Sequence, residues 1–238
     1  MPVSLNSTVR IFHEDNFAKA PQLTIVFPTA ERYSKDSYAL NFLGDLLANS
    51  KKSPLYTILV RDKKLTSRVS ARNGSQELAG SFTISVTANP GVNLTDVEKA
   101  IFDGLKKFEN DGFSEEDLTR IKAGFETRFY NSFSSVQGKA FSLAEYTMNT
   151  GNPEFYKKDF QNTQSVTMAD IKAVYDKYLK GKNFVETSFI PKGQVNLIAE
   201  GSVNAGIKEE DVTKAANVQL FSRRMQNQPE KIEFGTKK

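Results

Sequence analysis

The alternation of apolar and polar positions is clearest over Ser81 to Ala88. There Phe82, Ile84, Val86 and Ala88 fall on one side, and Ser81, Thr83, Ser85 and Thr87 on the other. A period of two with one apolar side predicts a strand whose second face is polar, as in an antiparallel sheet. Gln22 to Pro28 alternates in the same way, with Leu23, Ile25 and Phe27 on one side. Thr8 to Phe12, Thr66 to Ala71 and Asn183 to Ile190 also read as strands, and Val195 to Ala199 as a hairpin partner of the last. Asn73-Gly74 reads as a turn after the strand at Thr66 to Ala71.

Helical spacing governs the rest. Tyr38, Phe42 and Leu46, with Ala39, Leu43 and Leu47, form one apolar stripe. Pro54 suits the first turn of a short helix carrying Leu55, Ile58 and Leu59. Thr95-Asp96-Val97-Glu98 has the capping-box pattern and precedes a stripe of Val97, Ile101, Leu105 and Phe108. Ser114-Glu115-Glu116-Asp117 opens another helix, with Leu118, Ile121, Phe125 and Phe129 on one side, reaching Phe133. Further helices are expected over Gln137 to Asn149, Glu154 to Asn162, Thr167 to Leu179 and Lys208 to Leu220. The order of elements predicts an α+β fold, a mainly antiparallel sheet covered on one face by helices. Residues 1–207 read as a single module, and 208–238 as a helical extension and linker or tail with little apolar content.

The composition of these 238 residues, 39% hydrophobic and 25% charged, is that of a globular domain. With 18 Phe and no Trp, phenylalanine carries much of the aromatic packing. The net charge of +4 comes from scattered doublets such as Lys51-Lys52, Lys63-Lys64 and Lys106-Lys107, with acids close by. A phosphate-binding face needs clustered cations, so nucleic acid is not an expected partner. The absence of cysteine excludes disulfides, thiolate metal sites and a cysteine nucleophile. No apolar run is long enough to span a bilayer, and MPVSLNSTVRIF lacks a signal-peptide pattern. Serine catalysis needs a positioned His base, and His13 is the one histidine. No glycine-rich phosphate loop is present.

Several segments, taken in order, resemble one family. They are Leu55-Tyr56-Thr57-Ile58-Leu59-Val60-Arg61-Asp62-Lys63-Lys64-Leu65 before the strand at Thr66, and Gly80 to Val86 ahead of Pro90-Gly91-Val92. Gly112-Phe113-Ser114-Glu115-Glu116-Asp117-Leu118, Val166 to Ile171 and Ile190-Pro191-Lys192-Gly193 complete the set. Over roughly Leu23 to Gly193 this order is similar to the insulinase/pitrilysin zinc peptidases, which are built from repeated α/β modules. The resemblance implies one module with H-x-x-E-H on a helix, where two His and a downstream Glu hold zinc and the motif Glu activates water. With only His13, this chain cannot carry that motif. His13 reads as a surface or strand-edge residue, so no metal and no cofactor is expected here, and zinc is expected on another module of the full-length protein. Glu209-Glu210-Asp211 reads as the acidic first turn of a helix, with a carboxylate-bound calcium or magnesium as the alternative.

The resemblance also implies an Arg and a Tyr seven positions later that contact the substrate carbonyl in a second module. Val60 and Ser67 stand at those places and can do neither job. Arg61 and Arg68 lie one residue along. A one-residue shift in a strand reverses the side chain, so Arg68 is expected on the opposite face, and Arg61 reads as an exposed helix residue. Neither catalytic nor substrate-binding residues are therefore expected. Phe125, Phe129 and Phe133 read as packing.

The expected function is that of a non-catalytic structural module of a pitrilysin-like zinc metalloendopeptidase. It would pack on the zinc-bearing module of the same polypeptide or a paired subunit and help wall the chamber that encloses peptide substrates. The alternative is a module of an inactive scaffold or partner subunit, distinguished by whether the whole gene encodes H-x-x-E-H. A third class is an unrelated ligand-binding α+β domain. The resemblance favours the bacterial cell envelope or periplasm over the cytoplasm.

Overall fold

The structure is a computed structural model that describes residues 4–207. The expected helix from Lys208, the acidic turn at Glu209-Glu210-Asp211 and the 208–238 extension lie outside the described residues.

Among the described residues six strands form one sheet: β1 (Val9–Asp15), β2 (Gln22–Thr29), β3 (Thr66–Ser75), β4 (Gly80–Ala88), β5 (Val185–Pro191) and β6 (Val203–Asn204). Their order is β3-β4-β2-β5-β1-β6. The β3/β4, β4/β2 and β2/β5 pairs are antiparallel, and β5/β1 and β1/β6 are parallel. The expected α+β class with a mainly antiparallel sheet is thus observed. The helices are α1 (Lys35–Ala48), α2 (Pro54–Tyr56), α3 (Leu94–Asp111), α4 (Glu115–Ser132), α5 (Val136–Thr150), α6 (Tyr156–Ser165) and α7 (Met168–Tyr178).

The core lies between the sheet and α1, α3 and α7. Leu23, Ile25 and Phe27 of β2 and Phe82, Ile84 and Val86 of β4 are completely or almost completely buried. They meet Leu40, Phe42, Leu43 and Leu47 of α1 and Leu94, Val97 and Ile101 of α3. Gly44 lets α1 descend onto β3, since a Cβ there would lie 2.9 Å from the Ala71 carbonyl oxygen. On the opposite sheet face Thr24, Thr83 and Ser85 are only half-buried, and the Gln22 amide donates to the Ser85 hydroxyl at 3.0 Å.

Four local expectations are corrected. Asn73-Gly74 is not a turn: Asn73 pairs with Phe82 and Gly74 with Ser81 inside the β3/β4 ladder. The chain reverses at Gln76–Ala79, where the Gln76 N–H donates to the Ala79 carbonyl at 2.8 Å. The Asn73 side chain instead accepts from the Thr29 hydroxyl and donates to Asn41 on α1. Second, Thr95 does not cap α3. Asn93 does, its side chain accepting from the Thr95 N–H at 2.8 Å, while the Thr95 hydroxyl accepts from the Glu200 N–H at 3.0 Å. Third, Val195–Leu197 is a 3₁₀ turn rather than a strand, and β5 pairs with β1 and β2. Fourth, the short helix at Pro54 continues as a π-helix over Thr57–Asp62, with the Lys63 N–H bonded to the Ile58 carbonyl at 2.9 Å. The helix starts expected at Ser114 and Thr167 are observed, and each is closed by a capping box, Ser114 with Asp117 on α4 and Thr167 with Asp170 on α7.

Candidate functional site

The resemblance draws attention first to the π-helix and the start of β3. π-Helical turns frequently occur at functional positions. Val60 is half-buried against the core and Arg61 is exposed, its Nε 2.9 Å from Asp62 Oδ1. At the start of β3 the register shifts between Thr66 and Val69. Both of those residues are buried, and Ser67 and Arg68 between them are both exposed. The expected reversal of Arg68 relative to Ser67 therefore does not hold, because a β-bulge suspends the period of two. The Thr66 hydroxyl stitches the bulge, accepting from the Arg68 N–H at 3.0 Å and donating to the Thr87 carbonyl at 2.6 Å. This corner offers exposed cations, but Arg61 is held to its neighbouring acid.

His13 is half-buried on β1, its ring centroid 5.9 Å from that of Phe189. Among the described residues no group of three His, Cys, Asp or Glu is placed to hold a metal ion. Zinc needs several convergent ligands. One imidazole and no thiol do not supply them, so the residues present do not fit a zinc centre.

Two charged constellations escaped the sequence reading. Arg10 on β1 places Nη1 2.7 Å from Glu98 Oε1 on α3 and 2.9 Å from Glu186 Oε1 on β5, and its guanidinium lies over the Phe184 ring at 5.3 Å. Glu186 is 0% exposed, and its Oε2 finds no hydrogen-bond partner among the described residues. Burial, followed by the negative charge of Glu98, pushes the Glu186 carboxyl up to about 7 against the opposing pull of Arg10. The signal was legible: alternation puts Glu186 on the same side as Phe184 and Ile190.

The second constellation lines a recess of about 570 Å³ between the tip of the β3/β4 hairpin and the helices α4 to α6. Asp159 of α6 accepts from the Tyr38 hydroxyl on α1 and the Tyr146 hydroxyl on α5, each at 2.7 Å. Burial, with the Asp159 carboxylate alongside, holds both phenols protonated well above the usual tyrosine range. Tyr33 packs its ring 5.0 Å from Phe155 and 6.1 Å from Tyr146 and has a positive φ of 62°, a costly conformation for a bulky side chain. Arg32 donates Nη1 to Glu145 at 2.9 Å and Nε to the Ser75 carbonyl at 3.2 Å. The phenylalanines expected to pack do so: Phe125 on Phe42 at 4.7 Å, Phe129 on Phe160 at 4.6 Å and Phe133 on Tyr156 at 5.1 Å.

The sequence profile of the family described as the peptidase M16 inactive domain matches residues 2–125, which is more than half of the chain. The chain belongs to that family. This agrees with the insulinase/pitrilysin resemblance and makes the chain a non-catalytic domain of the zinc-protease family. The zinc protease PqqE of Helicobacter pylori is 25% identical to this inactive domain over 148 residues, 61% of this chain and 33% of the relative. The chain thus spans about a third of the length of the curated relative it matches. A protease from Helicobacter pylori superposes with a TM-score of 0.67 at 20% identity, covering 76% of this chain and 44% of that one. The periplasmic protease PqqL from Escherichia coli gives a TM-score of 0.63 at 16% identity over 79% of this chain and 21% of its own. These two superpositions show the shared fold of the inactive domain. Among its described residues no helix is long and apolar enough to cross a membrane.

Proposed function

We propose that this inactive domain packs on a zinc-bearing module, in the same polypeptide or a paired subunit, and helps wall a chamber in which peptides are cleaved. The observation that carries this reading is membership of the inactive-domain family joined to a donor set that does not fit zinc. In this reading the zinc and the water-activating Glu belong to the other module, and the full-length protein is a zinc metalloendopeptidase. Val60 and Ser67 stand where the family's substrate-contacting Arg and Tyr would be, and they contribute no contact to the substrate carbonyl. In this reading the module is residues 1–207. Helix α5 supports the packing: Val136, Phe141 and Met148 are 85%, 69% and 79% exposed, apolar surface that a second module would remove from water. The periplasmic relative supports a place in the bacterial cell envelope.

The experiment compares the purified chain with the chain assembled with the rest of its gene product. The chain alone is expected to bind no stoichiometric zinc and to cleave no peptide, and the assembled protein to cleave peptides in a chelator-sensitive way. Zinc-dependent cleavage by the chain alone, retained through purification and abolished by chelator, overturns the proposal.

A further inference from the structure

The recess beneath the β3/β4 hairpin has a volume of about 570 Å³, within the range of pockets that hold small ligands. Its charges do not balance. Arg32 is committed to Glu145 at 2.9 Å and to the Ser75 carbonyl. Asp159 has no cationic partner among the described residues; its contacts on that carboxylate are the two phenols, one on each oxygen. A carboxylate offers about four acceptor sites, so roughly two remain. The phenols also fix its orientation: Tyr38 lies on α1, Tyr146 on α5 and Asp159 on α6, so three elements hold one acceptor in place. Around it stand the rings of Tyr33, Tyr38, Tyr146 and Phe125. Aromatic faces beside an oriented, unneutralised carboxylate attract a cation twice, through the ring quadrupoles and through a charge-assisted hydrogen bond. An anion would first have to displace Glu145 from Arg32. The amides of Asn41 and Gln76 also line the recess and can pair with a peptide backbone.

We propose that this recess binds the basic side chain, arginine or lysine, of a peptide, with Asp159 as the countercharge and the tyrosine rings as its walls. That the occupant is a peptide rests on the function proposed above; the preference for a cation does not, and the two can fail separately.

The chain has eight Tyr and no Trp, and three of the tyrosines line the recess, so tyrosine fluorescence and absorbance report on its occupancy. The parent chain is titrated with Nα-acetyl-arginine amide and with its neutral isostere Nα-acetyl-citrulline amide. The expected result is saturable binding of the arginine compound, at least tenfold weaker binding of the citrulline compound, and at least tenfold loss of arginine binding in Asp159→Asn. Equal responses to the two compounds, no saturable response to arginine, or undiminished arginine binding by a folded Asp159→Asn variant overturns the proposal. If Asp159→Asn does not fold, the arginine–citrulline comparison on the parent chain decides. Cation binding without peptide cleavage in the assembled protein would sink the chamber and leave the recess; cleavage without cation binding would do the reverse.

Discussion

In the sheet and its helices α1 and α3, apolar side chains interdigitate and close off water: Phe42, Phe82, Ile25 and Leu94 are wholly buried. In α5 and α6 no residue is buried. These helices are held by tyrosine hydroxyls on a shared carboxylate, by aromatic rings in partial contact, and by Arg32 with Glu145. The first region is fixed by the hydrophobic effect, which scales with the area removed from water. The second is fixed by directional polar contacts around a recess, which contribute modestly to stability and specify geometry. The difference separates a scaffold from a surface available for contact.

Substitutions can break or sharpen that contrast. Phe82→Ala removes a fully buried ring and is expected to cost about 3–5 kcal/mol in denaturant-induced unfolding. A loss below about 1 kcal/mol would show that the sheet core is not what holds the domain.

The buried Glu186 should make the scaffold region pH-sensitive. Its folded value, about 7, is raised above the ordinary 4.5. The folded state therefore binds the proton more tightly than the unfolded chain. This contribution to stability is fully present below about 4.5 and is lost as pH rises through about 7, with a slope of up to about 1.4 kcal/mol per pH unit. Denaturation curves between pH 4.5 and 8 measure it, and Glu186→Gln should flatten the profile. An unchanged slope in that variant would place the titration elsewhere.

Helix caps come next. Asn93→Ala removes the side chain that caps α3 and should cost about 1 kcal/mol. Unchanged stability in Asn93→Ala would show that this side chain does not cap α3. Smallest of all, Phe141→Ala and Met148→Ala on the exposed face of α5 should change stability of the isolated chain by less than about 0.5 kcal/mol. In the assembled protein the same substitutions should weaken association, measurable by sedimentation, because the exposed side chains then lie at the proposed contact.

Period-two and helical spacing located β2, β4, α1, α4 and α7 in the sequence, because each buries a single stripe whose period survives any tertiary arrangement. Membership of the zinc-protease family was legible from the order of short segments. Other features needed the folded chain. Asn73-Gly74 has the residues of a turn, yet the ladder with β4 continues through it to Ser75, and the Asn73 amide ties the hairpin to α1. Local sequence cannot register a bulge, so the shared exposure of Ser67 and Arg68 was hidden. The insertion of β5 between β2 and β1 pairs residues more than 150 positions apart. That pairing, with α3 laid across it, brings Arg10, Glu98 and Glu186 together. The recess at Asp159 likewise joins α1, α5 and α6. The sequence by itself determined which residues would be buried along each element and which chemistry the chain lacks, since both follow from side-chain type and local period. Only the tertiary structure decided which distant charges share a low-dielectric space and which carboxylate is left without a cation among the described residues, because those depend on distances between elements that no local period encodes.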